Sequence, residues 1–367
     1  MIILSRKKYD KPVVLIVDDN DSNRELLSDI LEDDYDIIEA PDGTDAIRII
    51  EKEKNHISIV LLDINMQVMD GYGVLYLMNE KKWIDDIPVV IISSESTSPY
   101  IHRGYEMGAT DFIVRPFDVV VVKNRVANTI NLYLNQKELR KQVRKQIKET
   151  EKTSNLMINI LSHIVEFRNG ESGMHVLHVQ LFTHILLQEL IKLDKDKKYN
   201  LTLDDISLIS KASALHDIGK IAIPDEILNK PGRLTDEEFA IMKQHSMEGA
   251  KMLDTLEIYK DEPLVKVSYE ICRWHHERFD GRGYPDGLKS DEIPISAQIV
   301  ALADVYDALT SERVYKKAFS HEKAVSMILN NECGVFNPII MECLKNASDE
   351  MLRRIVEDDM TMEIEIN

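Results

Sequence analysis

Val13-Val14-Leu15-Ile16-Val17-Asp18-Asp19 is apolar through five consecutive positions and then stops at two carboxylates. A strand with no polar alternation needs cover on both faces, as in the interior of a parallel sheet. Ile37-Ile38, Ile59-Val60-Leu61-Leu62, Val89-Val90-Ile91-Ile92 and Phe112-Ile113-Val114 repeat the theme between helix-like segments. Residues 11–131 therefore read as an α/β doubly wound unit on a five-stranded parallel sheet. Ligands of such sheets bind where the strands end. Here those ends carry Asp18 and Asp19, then Asp63, then Ser93, then Arg115 before Pro116. Three converging carboxylates repel unless a cation joins them or their protonation shifts. Hard oxygen ligands suit Mg²⁺, and a hydroxyl with a guanidinium suits phosphoryl oxygens.

Beyond this unit the rhythm changes. Val119 to Thr150 holds neither proline nor glycine, and Leu132, Leu139, Val143 and Ile147 form a thin apolar stripe at helical spacing. Residues 119–153 read as a helical linker, with a homodimer seam as one use of the stripe. From residue 154 to 350 the pattern is all helical, with Met174–Ile191 and Asp204–Lys220 amphipathic; residues 351–367 read as an acidic tail.

Composition narrows the function classes. The 367 residues carry 45 Lys and Arg against 64 Asp and Glu, a net charge of −19. Such a surface argues against DNA and acidic membranes as partners. No apolar run approaches the ~18 residues a bilayer span needs. The first residues place apolar before basic, the reverse of a secretory signal, so the expected location is cytoplasmic. Three cysteines without a C-x-x-C leave little for a disulfide framework or a thiolate zinc site.

The helical half concentrates histidine and carboxylate. Glu171 and His175 are spaced for one helix face, His216-Asp217 are adjacent with Lys220 just beyond, His245 stands alone, His275-His276 are adjacent, and Asp304 opens Asp304-Val305-Tyr306-Asp307. So many ionisable groups meeting in a core are costly without metal. Imidazole and carboxylate donors favour Fe or Mn, and less firmly Zn or Ni. Eight ligands exceed one ion and fit two or three, with Asp217 bridging. Paired metals activate water and stabilise developing charge in phosphate-ester hydrolysis.

Two resemblances follow from these motifs. V-L-I-V-D-D at 14–19, L-L-D-I-N-M-Q-V-M-D-G-Y at 61–72, I-P-V-V-I-I-S-S at 87–94 and G-A-T-D-F-I-V-R-P-F at 108–117 resemble the receiver domain of bacterial two-component response regulators. The resemblance implies a cognate sensor histidine kinase, Asp63 as phosphoacceptor, Asp18, Asp19 and Asp63 around Mg²⁺, and Ser93, Arg115 and Phe112 as switch residues. Arg115 replaces the family's usual Lys, and Gln67 its usual Pro; Arg and Lys are not equivalent at such a site.

E-S-G-M-H at 171–175, H-D-I-G-K at 216–220, I-P-D-E-I-L-N-K-P-G-R-L-T at 223–235, H-H-E-R-F-D-G-R-G-Y-P at 275–285 and D-V-Y-D-A-L-T-S-E-R-V-Y-K at 304–316 resemble the HD-GYP branch of the HD phosphohydrolases. That resemblance implies metal-dependent hydrolysis of cyclic di-GMP to pGpG or GMP. It implies Glu171, His175, His216, Asp217, His245, His275, His276 and Asp304 as metal ligands, with His216, Asp217 and Lys220 catalytic. Lys220, Arg313, Lys316, Tyr284 and Asp307 are the implied substrate contacts. Diguanylate cyclase (GGDEF) domains are implied partners of the Gly283-Tyr284-Pro285 loop. Arg168-Asn169, His178 and Asn337 depart from the family pattern at positions that are not ligands. A cyclic di-GMP receptor with little turnover, or a phosphodiesterase for another cyclic dinucleotide, are the alternatives.

Overall fold

A computed structural model describes residues 9–93, 99–168, 174–311 and 317–366, with side chains described at 9–93, 102–168, 174–311 and 317–355. Two compact units divide between Lys148 and Glu149.

In the first unit, β1 (Val13–Val17), β2 (Asp36–Ala40), β3 (Ile57–Asp63), β4 (Val89–Ser93) and β5 (Asp111–Val114) form one sheet in the order β2-β1-β3-β4-β5. Every pairing is parallel. Between the strands run α1 (Asp21–Leu31), α2 (Gly43–Glu53), α3 (Gly71–Glu80) and α4 (Pro99–Glu106). The pleat explains why β1 is wholly apolar. Val13, Leu15 and Val17 enter one core with Ile50, Leu75 and Met78, whereas Val14 and Ile16 enter the other with Leu27, Leu31 and Val126. The strand order reverses beside β1, so β1 and β3 end side by side, β1 followed by Asp18 and β3 ending in Asp63.

The helix α5 runs unbroken from Val119 to Arg168. Val122, Val126 and Ile130, four residues apart, pack on the sheet. Leu132, Leu139, Val143 and Ile147 are exposed. Beyond the expected linker end at 153, Ile158, Ser162, Val165 and Glu166 are buried at helical spacing, so the last turns of α5 belong to the second unit's packing.

The second unit continues through α6 (Met174–Leu193), α7 (Leu203–Ser213), α8 (Asp225–Leu228), α9 (Asp236–Met242), α10 (Gln244–Asp254), α11 (Pro263–Trp274), α12 (Ile295–Thr310), α13 (His321–Leu329) and α14 (Pro338–Ile366). Its core joins Phe182 and Leu186 of α6, Ile299 and Tyr306 of α12, and Ile340 and Leu344 of α14. Capping boxes at Thr202 with Asp205 and Thr235 with Glu238 start α7 and α9. The helix α14 runs on into the residues read as an acidic tail from 351. Ile340, Leu344, Ala347 and Met351 continue one apolar stripe, and Met351 is fully buried. Among the described residues, no helix is long and apolar enough to cross a membrane.

Candidate functional site

At the strand ends of the first unit, Asp18, Asp19 and Asp63 bring carboxylate oxygens within 4.8 Å of one another. Asp18 accepts hydrogen bonds from the Asn20 backbone N–H at 2.9 Å and Asn23 Nδ2 at 3.1 Å. Arg115 reaches in from the end of β5. Its Nη2 pairs with Asp18 and stands 3.3 Å from Asp63 Oδ1. Burial pushes the Asp63 carboxyl up to about 6 although the Arg115 charge opposes it. Ser93 lies half-buried at the end of β4. Phe112 packs edge-on to Tyr105 at 6.1 Å, with the Arg125 guanidinium 5.3 Å from its ring.

The second unit gathers its histidines from four places. His175 is on α6, His216 and Asp217 follow α7, His245 is on α10, and His275-His276 follow α11. Their ligand atoms fall into two groups, each within 4.8 Å: Asp217, His245, His275 and His276 in one, His175, His216 and Asp217 in the other. Asp217 belongs to both. Its Oδ1 lies 3.2 Å from His245 Nε2 and 3.7 Å from His275 Nε2, while Oδ2 lies 3.3 Å from His216 Nε2. Lys220 Nζ lies 2.7 Å from the same Oδ2. Asp304 Oδ1 lies 3.7 Å from His175 Nε2.

The ring orientations have local causes. Nδ1–H of His216 donates to Ser213 O, that of His245 to Met242 O and that of His275 to Ile271 O, each at 2.8 Å. Each acceptor is three or four residues back in the chain. With Nδ1 tied, Nε2 is the nitrogen left to face the cluster, the tautomer a metal ligand needs. Burial pushes His275 down to about 3 and His276 well below its usual range, with neighbouring imidazoles adding to the effect. Burial opposes charge on His216 too, but Asp217 beside it reverses the direction. Close backbone packing sets the Asp217–Lys220 segment against α10: a Cβ on Gly219 would lie 1.9 Å from His245 O.

Asp307, expected among the substrate contacts, lies against His175 and His178. It is 1% exposed. Oδ2 bonds His175 Nδ1 at 2.6 Å, Oδ1 bonds His178 Nδ1 at 2.8 Å, and Ser311 Oγ donates to Oδ1 at 2.9 Å. Its oxygens are spent on aiming His175. Tyr284 is stacked on His276, centroids 4.7 Å apart, with Lys243 Nζ 5.7 Å from its ring. Glu171, Arg313 and Lys316 lie outside the described residues.

Three further residues to which the sequence reading gave no role join the site. Glu277, 3% exposed, accepts from the backbone N–H groups of Asp286, Gly287 and Leu288 at 2.7, 2.9 and 3.1 Å and so holds the loop that carries Tyr284. Arg168, the last residue of α5, donates to the carbonyls of Lys220, Ile221 and Ile223. Glu166 is buried beside His175, its Oε1 3.8 Å from His175 Nε2, and burial pushes its carboxyl up to about 7. The signal for Glu277 was its place directly after the histidine pair; for Glu166 it was its position on the buried stripe of α5.

Fold and site together define a two-part protein, a doubly wound unit with an acidic pocket followed by a helical histidine-carboxylate centre. Residues 14–127 match the response regulator receiver domain and residues 180–336 the HD domain. A probable cyclic di-GMP phosphodiesterase of Vibrio cholerae serotype O1 is 36% identical over 351 residues, 93% of this chain and 79% of that protein. The cyclic di-GMP phosphodiesterase response regulator RpfG of Xanthomonas campestris pv. campestris is 30% identical over 341 residues, 90% of this chain and 86% of that protein. A 3'3'-cGAMP-specific phosphodiesterase 2 of Vibrio cholerae serotype O1 is 38% identical over 192 residues, 52% of this chain and 34% of that protein. The chain belongs to the response-regulator family whose output is an HD-domain phosphodiesterase. Its HD domain implies a metal-dependent hydrolase, and its receiver domain implies a kinase as partner.

Proposed function

We propose that this chain hydrolyses cyclic di-GMP to pGpG or GMP under the control of phosphorylation at Asp63. The observation that carries the hydrolase reading is Asp217, one buried carboxylate shared by two groups of ligand atoms. That is the arrangement a bridged metal pair requires. Among the described residues His216 Nε2 is buried without a hydrogen bond, as a nitrogen reserved for a metal would be. The fit supports His245, His275 and His276 on one side of Asp217 and His175 and His216 on the other, with Asp304 beside His175 and Glu171 as the motif's further ligand. Two or three divalent ions, iron or manganese by the donor set, would supply the Lewis acidity that activates water and holds charge at phosphorus.

The chain's own residues do the rest. Lys220 places an ammonium beside Asp217, where the scissile phosphate must lie. Tyr284, braced on His276, offers a stacking surface for a guanine base. Arg313 and Lys316 neutralise the remaining phosphate charge. In the receiver, Asp18, Asp19 and Asp63 fit Mg²⁺, Asp63 accepts the phosphoryl group from a sensor histidine kinase, and Ser93, Arg115 and Phe112 respond. The same reading places the protein in the cytoplasm, gives the Gly283-Tyr284-Pro285 loop to GGDEF domains, and gives the exposed stripe Leu132, Leu139, Val143 and Ile147 to a homodimer.

A second substrate reading, 3'3'-cGAMP, is favoured by the relative named for that dinucleotide. Anaerobic turnover of each dinucleotide by Mn(II)- or Fe(II)-loaded protein, with His275→Ala beside it, tests both. Linear product from cyclic di-GMP by wild type alone is the expected result. Intact cyclic di-GMP with cleaved cGAMP moves the substrate. Binding of cyclic di-GMP without cleavage in metal-verified protein makes the chain a receptor.

A further inference from the structure

We infer that Glu166 is a metal ligand, supplying a carboxylate to the ion held by His175 and His216. The inference rests on the metal-hydrolase reading and extends its ligand set to a residue on α5. Glu166 is 2% exposed, and neither carboxylate oxygen has a hydrogen-bond partner among the described residues. Buried carboxylates are normally bonded, so two orphaned oxygens call for a missing partner.

What surrounds Glu166 says which partner. Its Oε1 lies 3.8 Å from His175 Nε2, and the same nitrogen lies 3.7 Å from Asp304 Oδ1. Two donors each about 2.1 Å from one ion lie at most about 4.2 Å apart, so both spacings suit a common ion. His175 Nδ1 is bonded to Asp307, which leaves Nε2 as the lone pair between the two carboxylates. The donor count points the same way. Among the described residues, the group around His245 has four ligand residues, whereas the group of His175, His216 and Asp217 has three and shares its carboxylate with the first. A divalent first-row ion that prefers oxygen and imidazole gains both charge balance and coordination from Glu166 and Asp304. The competing role, an ion pair with Lys220, finds that ammonium already 2.7 Å from Asp217 Oδ2.

The test is Mn(II) binding to the full chain, followed by metal analysis after dialysis and by electron paramagnetic resonance, which separates coupled from isolated ions. Glu166→Gln keeps the shape and removes the charge. The expected result is loss of about one equivalent, at least tenfold weaker binding at that position, and an isolated-ion signal in place of the coupled one. Glu166→Asp, which keeps a carboxylate, recovers part of the binding; it also serves if Glu166→Gln fails to fold. Wild-type stoichiometry, affinity and coupling in Glu166→Gln overturn the inference while the hydrolase reading stands. A wild type that holds no ion overturns both.

Discussion

The guanidinium of Arg168 donates to the backbone carbonyl of Lys220 at 3.1 Å, joining the end of the longest helix to the segment that carries the candidate catalytic lysine. Further bonds reach Ile221 O at 2.7 Å and Ile223 O at 2.9 Å, and an ion pair reaches Asp225 at 2.8 Å. Arg168→Ala removes all of them. The expected cost is about 2 kcal/mol of stability in the second unit, with a fall in turnover larger than in Asp225→Asn. Urea unfolding and steady-state kinetics on both variants check this. Equal turnover in Arg168→Ala and wild type would show that Lys220 keeps its place unaided.

Asp307 is expected to act on the metal and not on the dinucleotide. Asp307→Asn weakens the carboxylate bond that aims His175, so metal affinity falls by about 10–100-fold. KM for substrate, measured at saturating metal, stays near the wild-type value. A KM rise at full metal occupancy would return Asp307 to the substrate contacts.

Glu277 holds three consecutive N–H groups of the loop beyond Tyr284. A Cβ on Gly283 would meet the Glu277 backbone at 2.3 Å, so loop and carboxylate are fitted closely together. Glu277→Ala leaves those donors without a partner and costs about 2 kcal/mol. KM rises while metal content is kept; hydrogen exchange at residues 286–288 speeds up and reports the loosened loop directly.

Asp63 makes receiver stability depend on pH. Its folded pKa of about 6 lies above the ordinary 3.8. The folded receiver therefore holds this proton more tightly than the unfolded chain does. The resulting stability is complete below the ordinary value and is lost as pH rises through about 6. Asp63→Asn removes the penalty of the buried charge: in Mg²⁺-free buffer it is more stable than wild type at pH 7 by about 1–2 kcal/mol after allowance for solvent screening, and the difference vanishes near pH 4. Thermal melts of the two proteins across that range give the test; a difference that does not change with pH would refute it.

Arg115 pairs with two of the carboxylates that Mg²⁺ would use. Arg115→Lys replaces a planar fork by a mobile point charge, and Mg²⁺ affinity and Asp63 phosphorylation by acetyl phosphate are both expected to rise severalfold. Intact-protein mass spectrometry follows the second. Slower phosphorylation in the Lys variant would make Arg115 a phosphoryl ligand that this receiver needs.

Continuous apolar runs made the sheet legible, because only strands covered on both faces can bury all of Val13 to Val17. The histidines that the second unit gathers were legible as motifs, since adjacent pairs and short spacings survive the step from chain to helix. Roles that depend on depth were not. Asp304 and Asp307 sit one helical turn apart; the second lies deep enough to have its oxygens taken by His175 and His178. Glu166 reads as one more charged residue in a charged helix, and only the packing of α5 reveals that its carboxylate is enclosed. The helix that forms the linker runs on past Thr153 to Arg168, a continuity that the polar composition of its middle does not announce.

The carbonyls that tether His216, His245 and His275 are each in the same helical turn or the one just before it. Aiming these imidazoles is thus a local event, completed as the helices form. The cradle is shaped before its cargo arrives. An ion bound there would have to shed water but would not have to reorganise these rings.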